Sequence, residues 1–197
     1  KLSSVSKNEK WNTAFLVLNG WQKIKMPQGI SKPSFGLQIN FKPTSNITVN
    51  YSNFLGSDKP DSLAIVRVFH NLFAQVQASK NLGFIMGFDL GSEKNKSSKR
   101  KIWYSPVFIS RLKINEKNFF AARIEYYSDP EETIISTNTI NGFQTFGYSL
   151  NFDYQLSEKM LFRMEAKKYH SKDAIFHSRE TSSNQNFSIT TAVTLKL

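Results

Sequence analysis

Phe35, Leu37, Ile39 and Phe41 alternate with Gly36, Gln38, Asn40 and Lys42, and this two-residue rhythm returns about ten times along the chain. Successive side chains of a strand point to opposite faces, so each run has one apolar and one polar side. Strands of soluble domains are usually about 5–6 residues long. Here the runs are about 9–15 residues, long enough for a tilted strand to cross a bilayer. The pattern predicts an all-β, antiparallel, up-and-down transmembrane β-barrel of about ten strands, a single domain over residues 1–197.

Composition fits that reading once the alternation is in view. Hydrophobic residues make up 40% of the 197 residues and mean hydropathy is −0.39, too polar for a bundle of membrane helices. The longest uncharged stretch, residues 133–152, is rich in Thr, Asn, Ser and Gln and has no place in lipid as a helix. Only half of each barrel strand faces lipid, so low average hydropathy does not count against a barrel. With no cysteine there is no disulfide framework, thiolate metal site or thiol nucleophile. Aromatic residues reach 14%. Trp11, Trp21, Tyr51, Trp103, Tyr104, Tyr126 and Tyr154 sit near strand ends, where an interfacial aromatic girdle would be. No leader precedes Lys1, so the membrane reading expects one to have been removed or the sequence to start later in the protein.

Strands are predicted near 11–19, 34–42, 46–54, 64–78, 82–91, 103–114, 118–127, 144–156, 160–170 and 185–197. Residues 1–10 read as a lead-in or the stump of an earlier strand. Pro106 inside a run suggests a bulge, because proline removes a ladder donor. Short polar turns at 43–46, 79–81, 115–117 and 157–159 alternate with long connections at 20–32, 56–61, 91–101, 128–141 and 172–184. Tight turns at one end and longer loops at the other are the asymmetry of outer-membrane barrels. Both chain ends fall on the short-turn side, which predicts termini toward the periplasm.

Alternation also sorts the charges. One face carries Phe84, Met86 and Phe88; Phe120, Ala122 and Ile124; Phe146, Tyr148, Leu150 and Phe152; Phe162 and Met164; and Ile189, Val193 and Leu195. The opposite face carries Arg67, Asp89, Arg111, Lys113, Arg123, Glu125, Asp153, Arg163, Glu165 and Lys167. An Arg or Lys facing lipid at the bilayer midplane costs about 2–4 kcal/mol, so this segregation is the strongest physical signal in the sequence. Asn53, His70, Ser110 and Lys168 are misfits on the apolar face. His70 and Lys168 lie far from their short turns, where snorkelling to the interface makes the cost small.

Several segments carry a family resemblance. Arg123-Ile124-Glu125-Tyr126-Tyr127-Ser128-Asp129 is followed by Asn141-Gly142-Phe143, Gly147-Tyr148-Ser149-Leu150, Arg163-Met164-Glu165 and Ser171-Lys172-Asp173-Ala174-Ile175-Phe176. Leu18-Asn19-Gly20-Trp21 and Trp103-Tyr104-Ser105-Pro106 fit the same series. The chain resembles the OmpL-like outer-membrane porins of the Bacteroidetes type, over most of its length and most firmly from Trp103 onward. The resemblance is to the C-terminal part of larger barrels, which implies further strands before this segment. It also implies outer-membrane location and a porin-like role in the passive diffusion of small solutes. Barrels of this type usually finish on an aromatic residue, whereas this chain finishes on Leu197.

The inward charges define the candidate site. Arg67, Asp89, Arg111, Lys113, Arg123, Glu125, Asp153, Arg163, Glu165 and Lys167 would line a pore with a cationic balance, favouring small polar or anionic solutes. The competing reading pairs Arg123 with Glu125 and Arg163 with Glu165 to fill a narrow lumen, giving a non-conducting structural barrel or a subunit of an outer-membrane complex. Lys and Arg exceed Asp and Glu, 26 against 15, yet the excess is scattered along strands and loops, so nucleic acid is not an expected partner. Expected partners are outer-membrane lipid, small polar solutes and, through any unpaired strand edge, a second copy or another membrane protein. The basic run Lys94, Lys96, Lys99, Arg100 and Lys101 reads as a solvated loop or a grip on lipid phosphates. His170, Ser171, Asp173 and His177 stand where a loop would supply such residues by composition alone. No enzyme, metal or cofactor is expected.

Overall fold

The computed structural model describes residues 1–94, 99–177 and 181–196. Lys96 of the basic run and Leu197 lie outside the described residues. The chain opens with β1 (Leu2–Val5), β2 (Trp11–Leu18), β3 (Ser34–Thr44) and β4 (Ile47–Gly56), and a single 3-10 turn follows at Asp61–Leu63. Next come β5 (Val66–Gln77), β6 (Leu82–Lys94), β7 (Lys101–Lys113), β8 (Asn118–Asp129), β9 (Phe143–Ser157) and β10 (Met160–Ser171). The last elements are β11 (Phe176–His177), β12 (Ser182–Ser183) and β13 (Gln185–Leu195). Eleven strands form one sheet in the order β1-β2-β3-β4-β5-β6-β7-β8-β9-β10-β13, and β11 pairs with β12 apart from it. This is an all-β antiparallel meander, each strand beside its predecessor. Among the described residues no helix is long and apolar enough to cross a membrane.

All ten anticipated strands are present. The strand added to the large sheet is β1, whose Leu2–Val5 pairs with Asn12–Phe15 of β2, so of the two readings of residues 1–10 the earlier strand fits Leu2–Val5. β7 runs unbroken through Pro106. A bulge interrupts the β3–β4 register between Phe41 and Thr44, where Pro43 has no N–H to give the ladder.

By internal contacts the chain divides into two compact units, Lys1–Ala74 with Gly87–Tyr104 and Gln75–Met86 with Ser105–Leu197. In the first, the register aligns Trp11 with Phe41 and Phe15 with Leu37 across β2 and β3. Trp11 stacks on Phe41 at 4.1 Å and Phe15 on Phe35 at 6.0 Å, yet Trp11, Phe15, Val17, Phe35 and Leu55 are exposed. The residues enclosed are Ser34, Asn50 and Arg67, with Ala14, Phe54 and Trp103. Two of the four misfit polar groups of the apolar face, His70 and Asn53, have partners. His70 Nδ1 lies 2.7 Å from the Tyr51 hydroxyl, and Asn53 accepts the Leu37 N–H at 2.9 Å.

The second unit repeats the inversion. Register sets Phe120 beside Phe152 and Tyr126 beside Phe146 across β8 and β9, and Met164 beside Phe152 across β9 and β10. Phe120, Ile124, Phe146, Tyr148, Leu150, Met164, Ile189 and Val193 are exposed, whereas Ser128, Asp129, Thr145, Ser149, Asp153 and Ser171 are buried. In water this arrangement would present an apolar patch far larger than soluble monomers carry, and it reverses the usual rule for interiors. Hydrocarbon is the solvent that suits such an apolar face.

Candidate functional site

In the second unit, strand parity puts Arg123 and Glu125 of β8, Asp153 of β9, and Arg163, Glu165 and Lys167 of β10 on the polar face. Arg163 stands directly across from Asp153 in the ladder. It forks onto that carboxylate, with Nε donating to Oδ1 and Nη2 to Oδ2, each at 2.7 Å. The arginine side chain is still 52% exposed while the aspartate is 12% exposed, so the pair keeps a cationic outer edge. Glu165, anticipated as the partner of Arg163, faces Asn151 in the register.

One step along the strands, Arg123 and Lys167 both lie in register with Ser149, and Glu125 lies in register with Gly147. These two β9 positions are small, which leaves room for long side chains to meet over the strand. Arg123 is ion-paired with Glu125, and Lys167 Nζ approaches Glu125 Oε1 at 3.8 Å. The Lys167 ammonium also lies 4.8 Å from the Tyr169 ring centroid. A Cβ at Gly147 would press on Glu125 and on the edge of Tyr169. Arg111 lies over the Phe119 ring at 4.4 Å, and Lys113 reaches Glu116 of the adjoining turn at 2.6 Å. Arg111, Lys113, Arg123, Arg163 and Lys167 thus stand against Glu116, Glu125, Asp153 and Glu165.

The two candidates of the first unit are placed differently. Asp89 accepts a hydrogen bond from Asn71 at 2.6 Å. Arg67 is 7% exposed and bonded through all three nitrogens: Nε donates to Glu93 Oε1 at 2.8 Å, Nη2 is ion-paired with the same carboxylate, and Nη1 donates to Asp58 at 3.2 Å. The guanidinium also lies 5.4 Å from the Trp21 ring and 5.6 Å from the Trp103 ring. Trp21 packs edge-on against Phe54 and Phe69 at 5.1 and 4.6 Å, and its backbone N–H donates to Asp58. Trp21 and Trp103, anticipated in the girdle, therefore belong to this buried cluster. Trp103 shares the parity of Arg111 along β7, which puts it on the polar face. A Cβ at Gly91 would fall inside the Trp103 indole, so that position is fixed as glycine by the close approach.

Sequence reading missed this cluster because Asp58 and Glu93 lie 9 and 26 residues from Arg67 and Trp21 arrives on a long loop. The one available signal was parity: Glu93 shares a face of β6 with Asp89.

The long connections of the second unit are held by carboxylates. Asp129, fully enclosed, accepts the N–H groups of Thr133, Ile134 and Ile135 at 2.7–2.9 Å. Glu132 accepts from the Thr137 hydroxyl at 2.7 Å and its N–H at 3.0 Å, and these bonds hold its carboxyl down to about 2. Asp173 accepts from the Asn141 side chain and N–H at 2.8 and 2.9 Å, which lowers its pKa in the same way. In the first unit Asp61 is lowered by the Ser31 hydroxyl and N–H.

The family model described as "Putative beta-barrel porin-2, OmpL-like" matches residues 1–197. Among solved structures, the fold is similar to that of a NanC porin in a rhombohedral crystal form, with a TM-score of 0.57 and 14% identity. That match covers 95% of this chain and 93% of the other. No curated protein matches the sequence.

Proposed function

We propose, from the premise that this chain belongs to the OmpL-like β-barrel porin family, that it gives small polar solutes, anions above all, a passive route across the outer membrane. Membership carries the barrel fold and the outer-membrane porin class. The finer reading is ours: one barrel domain with its termini toward the periplasm, and a lumen lined by the polar face of β7–β10. The observation that carries it is the half-exposed fork of Arg163 on Asp153, with Arg111 over Phe119, which lies in register with Asp153. Cations held at fixed positions, with part of their charge still facing water, raise local anion concentration and set charge selectivity. Glu165 tempers that balance; in the first unit Asp89 is held by Asn71, and Arg67 serves as a clamp because its charge is spent on two acids.

Reversal potentials across planar bilayers under a salt gradient test the reading. Arg111→Gln with Arg163→Gln should move the channel toward cation preference. Unchanged selectivity removes the belt. A specific observation favours a second reading, a non-conducting structural barrel: the Arg67–Trp21–Trp103 cluster fills its part of the polar face with two indoles. Absence of any conductance from folded, reconstituted protein would establish that reading.

A further inference from the structure

Lys168, His170 and Lys172 occupy every second position at the end of β10 and just beyond it. Parity puts Lys168 and His170 on the apolar face with Met164 and Ala166, the face that meets lipid in a barrel of this family. In the ladder Lys168 faces Tyr148 and Phe187, and His170 faces Phe146 and Gln185. Lys172 continues the column, its backbone N–H donating to the Gln144 carbonyl at 2.9 Å. Tyr126, Gln144, Phe146, His170 and Lys172 line a groove of about 240 Å³. Successive members of the column stand about 6–7 Å apart along the strand. Toward the short-turn end, the same face continues through exposed Leu150, Ile189 and Met164.

Three basic side chains on a face that otherwise meets hydrocarbon need a reason. Among the described residues none of the three is in a salt bridge, and the neighbouring acid, Asp173, is taken up by Asn141. Snorkelling to water explains one such residue, but not three in a column framed by aromatic rings. We propose that this column is a docking site for a phosphate-bearing lipid of the surrounding leaflet. Lys168, His170 and Lys172 would receive the headgroup phosphate, Tyr126 and Phe146 would flank it, and the acyl chains would lie along Leu150 and Ile189. Charge complementarity above and an apolar track below fit an anionic amphiphile better than a free anion, for which the track has no use.

The site lies on the opposite face of β10 from Arg163 and Lys167, so its test is independent of the channel reading. The refolded full chain is presented with diphosphoryl lipid A, with the same lipid stripped of phosphate, and with inorganic phosphate, and adducts are followed by native mass spectrometry. The phosphorylated lipid should bind and its dephosphorylated form should not. Each surface lysine contributes about a factor of five to attraction toward anionic lipid, so Lys168→Gln with Lys172→Gln should weaken binding about thirty-fold. The Lys168→Arg, Lys172→Arg pair should retain it, which separates loss of charge from damage to the fold. Equal binding of the stripped lipid, equal binding of inorganic phosphate alone, or unweakened binding by the glutamine pair would each overturn the proposal. Conductance of the glutamine pair should match the parent, whichever way the belt experiment falls.

Discussion

The most enclosed loop fastenings of the two units differ in sign, although in the first unit Asp61 also holds Ser31. In the first, the loop carrying Trp21 and the loop carrying Asp58 are tied to the strands through one buried cation, Arg67, with two acids and two indoles around it. In the second, loop 130–142 is tied by anions, Asp129 and Glu132, that gather backbone N–H groups. A guanidinium keeps its charge at any accessible pH, whereas a carboxylate loses its charge and part of its acceptor capacity when protonated. The first fastening is therefore built on a permanent cation with two acids around it, and the loop tether of the second on carboxylates and hydrogen-bond donors of the loop. Residue type alone does not assign a charge to the pore. Arg67 and Arg163 share a face type by parity, yet one is enclosed and the other half open to water.

The largest expected effect follows from that contrast. Removing one partner of a buried ion pair leaves uncompensated charge and costs about 3–5 kcal/mol. Arg67→Ala should lower unfolding stability in detergent micelles by that order, because Asp58 and Glu93 would both be left enclosed. Adding Asp58→Asn and Glu93→Gln should recover part of the loss. A cost near that of a surface pair would mean the cluster is solvated and the contrast wrong.

Glycine substitutions sharpen the comparison at the next level. At Gly91 a methyl group meets the Trp103 ring, wedged against Arg67; at Gly147 it meets the Glu125 side chain and the edge of Tyr169. Overpacking costs about 1–3 kcal/mol when neighbours are rigid. Gly91→Ala should fall in that range and change tryptophan emission, and Gly147→Ala should cost less. Equal costs would show the two walls to be equally plastic. Arg163→Ala should cost less than Arg67→Ala, because the arginine is half exposed and screened pairs contribute about 0–1 kcal/mol. It still leaves Asp153, as enclosed as Asp58 and Glu93, without its partner, so stability as well as ion selectivity should respond.

Strand existence and parity were legible because lipid enforces them at every second residue. The run 160–170 reappears as Met160–Ser171, and 185–197 as Gln185–Leu195. β1 was only half legible, since the four residues Leu2–Val5 carry too little alternation to stand alone. The two-residue β11 and β12 leave no periodic trace. For the candidate site, parity gave the face of Arg163, Lys167 and Glu125, and with it the Arg123–Glu125 pair. It did not give the choice of Asp153 over Glu165 for Arg163, which depends on the β9–β10 register. The Arg67 cluster was illegible because two of its members, Trp21 and Asp58, come from irregular loops that no periodicity positions. The girdle assignment of Trp21 and Trp103 failed for a related reason: nearness to a strand end does not say which face a ring takes.

Glu132 provides the smallest and most local break in the comparison. Its ordinary value of 4.5 is lowered to about 2 by the Thr137 hydroxyl and by N–H groups of the loop. A carboxyl held below its unfolded value stabilises the folded loop fully above that unfolded value, and the contribution fades as pH falls through the folded one. The tether should therefore be intact above about pH 4.5 and lost on acidification toward about 2. The Thr137 and Thr139 amide resonances should shift together over that window, with strand resonances unmoved. In Glu132→Gln both shifts should vanish, since the amide side chain does not titrate there. A Thr137 midpoint near 4.5 in the parent would mean the hydrogen bonds do not favour the ionised form, and the second unit's loop would need another fastening.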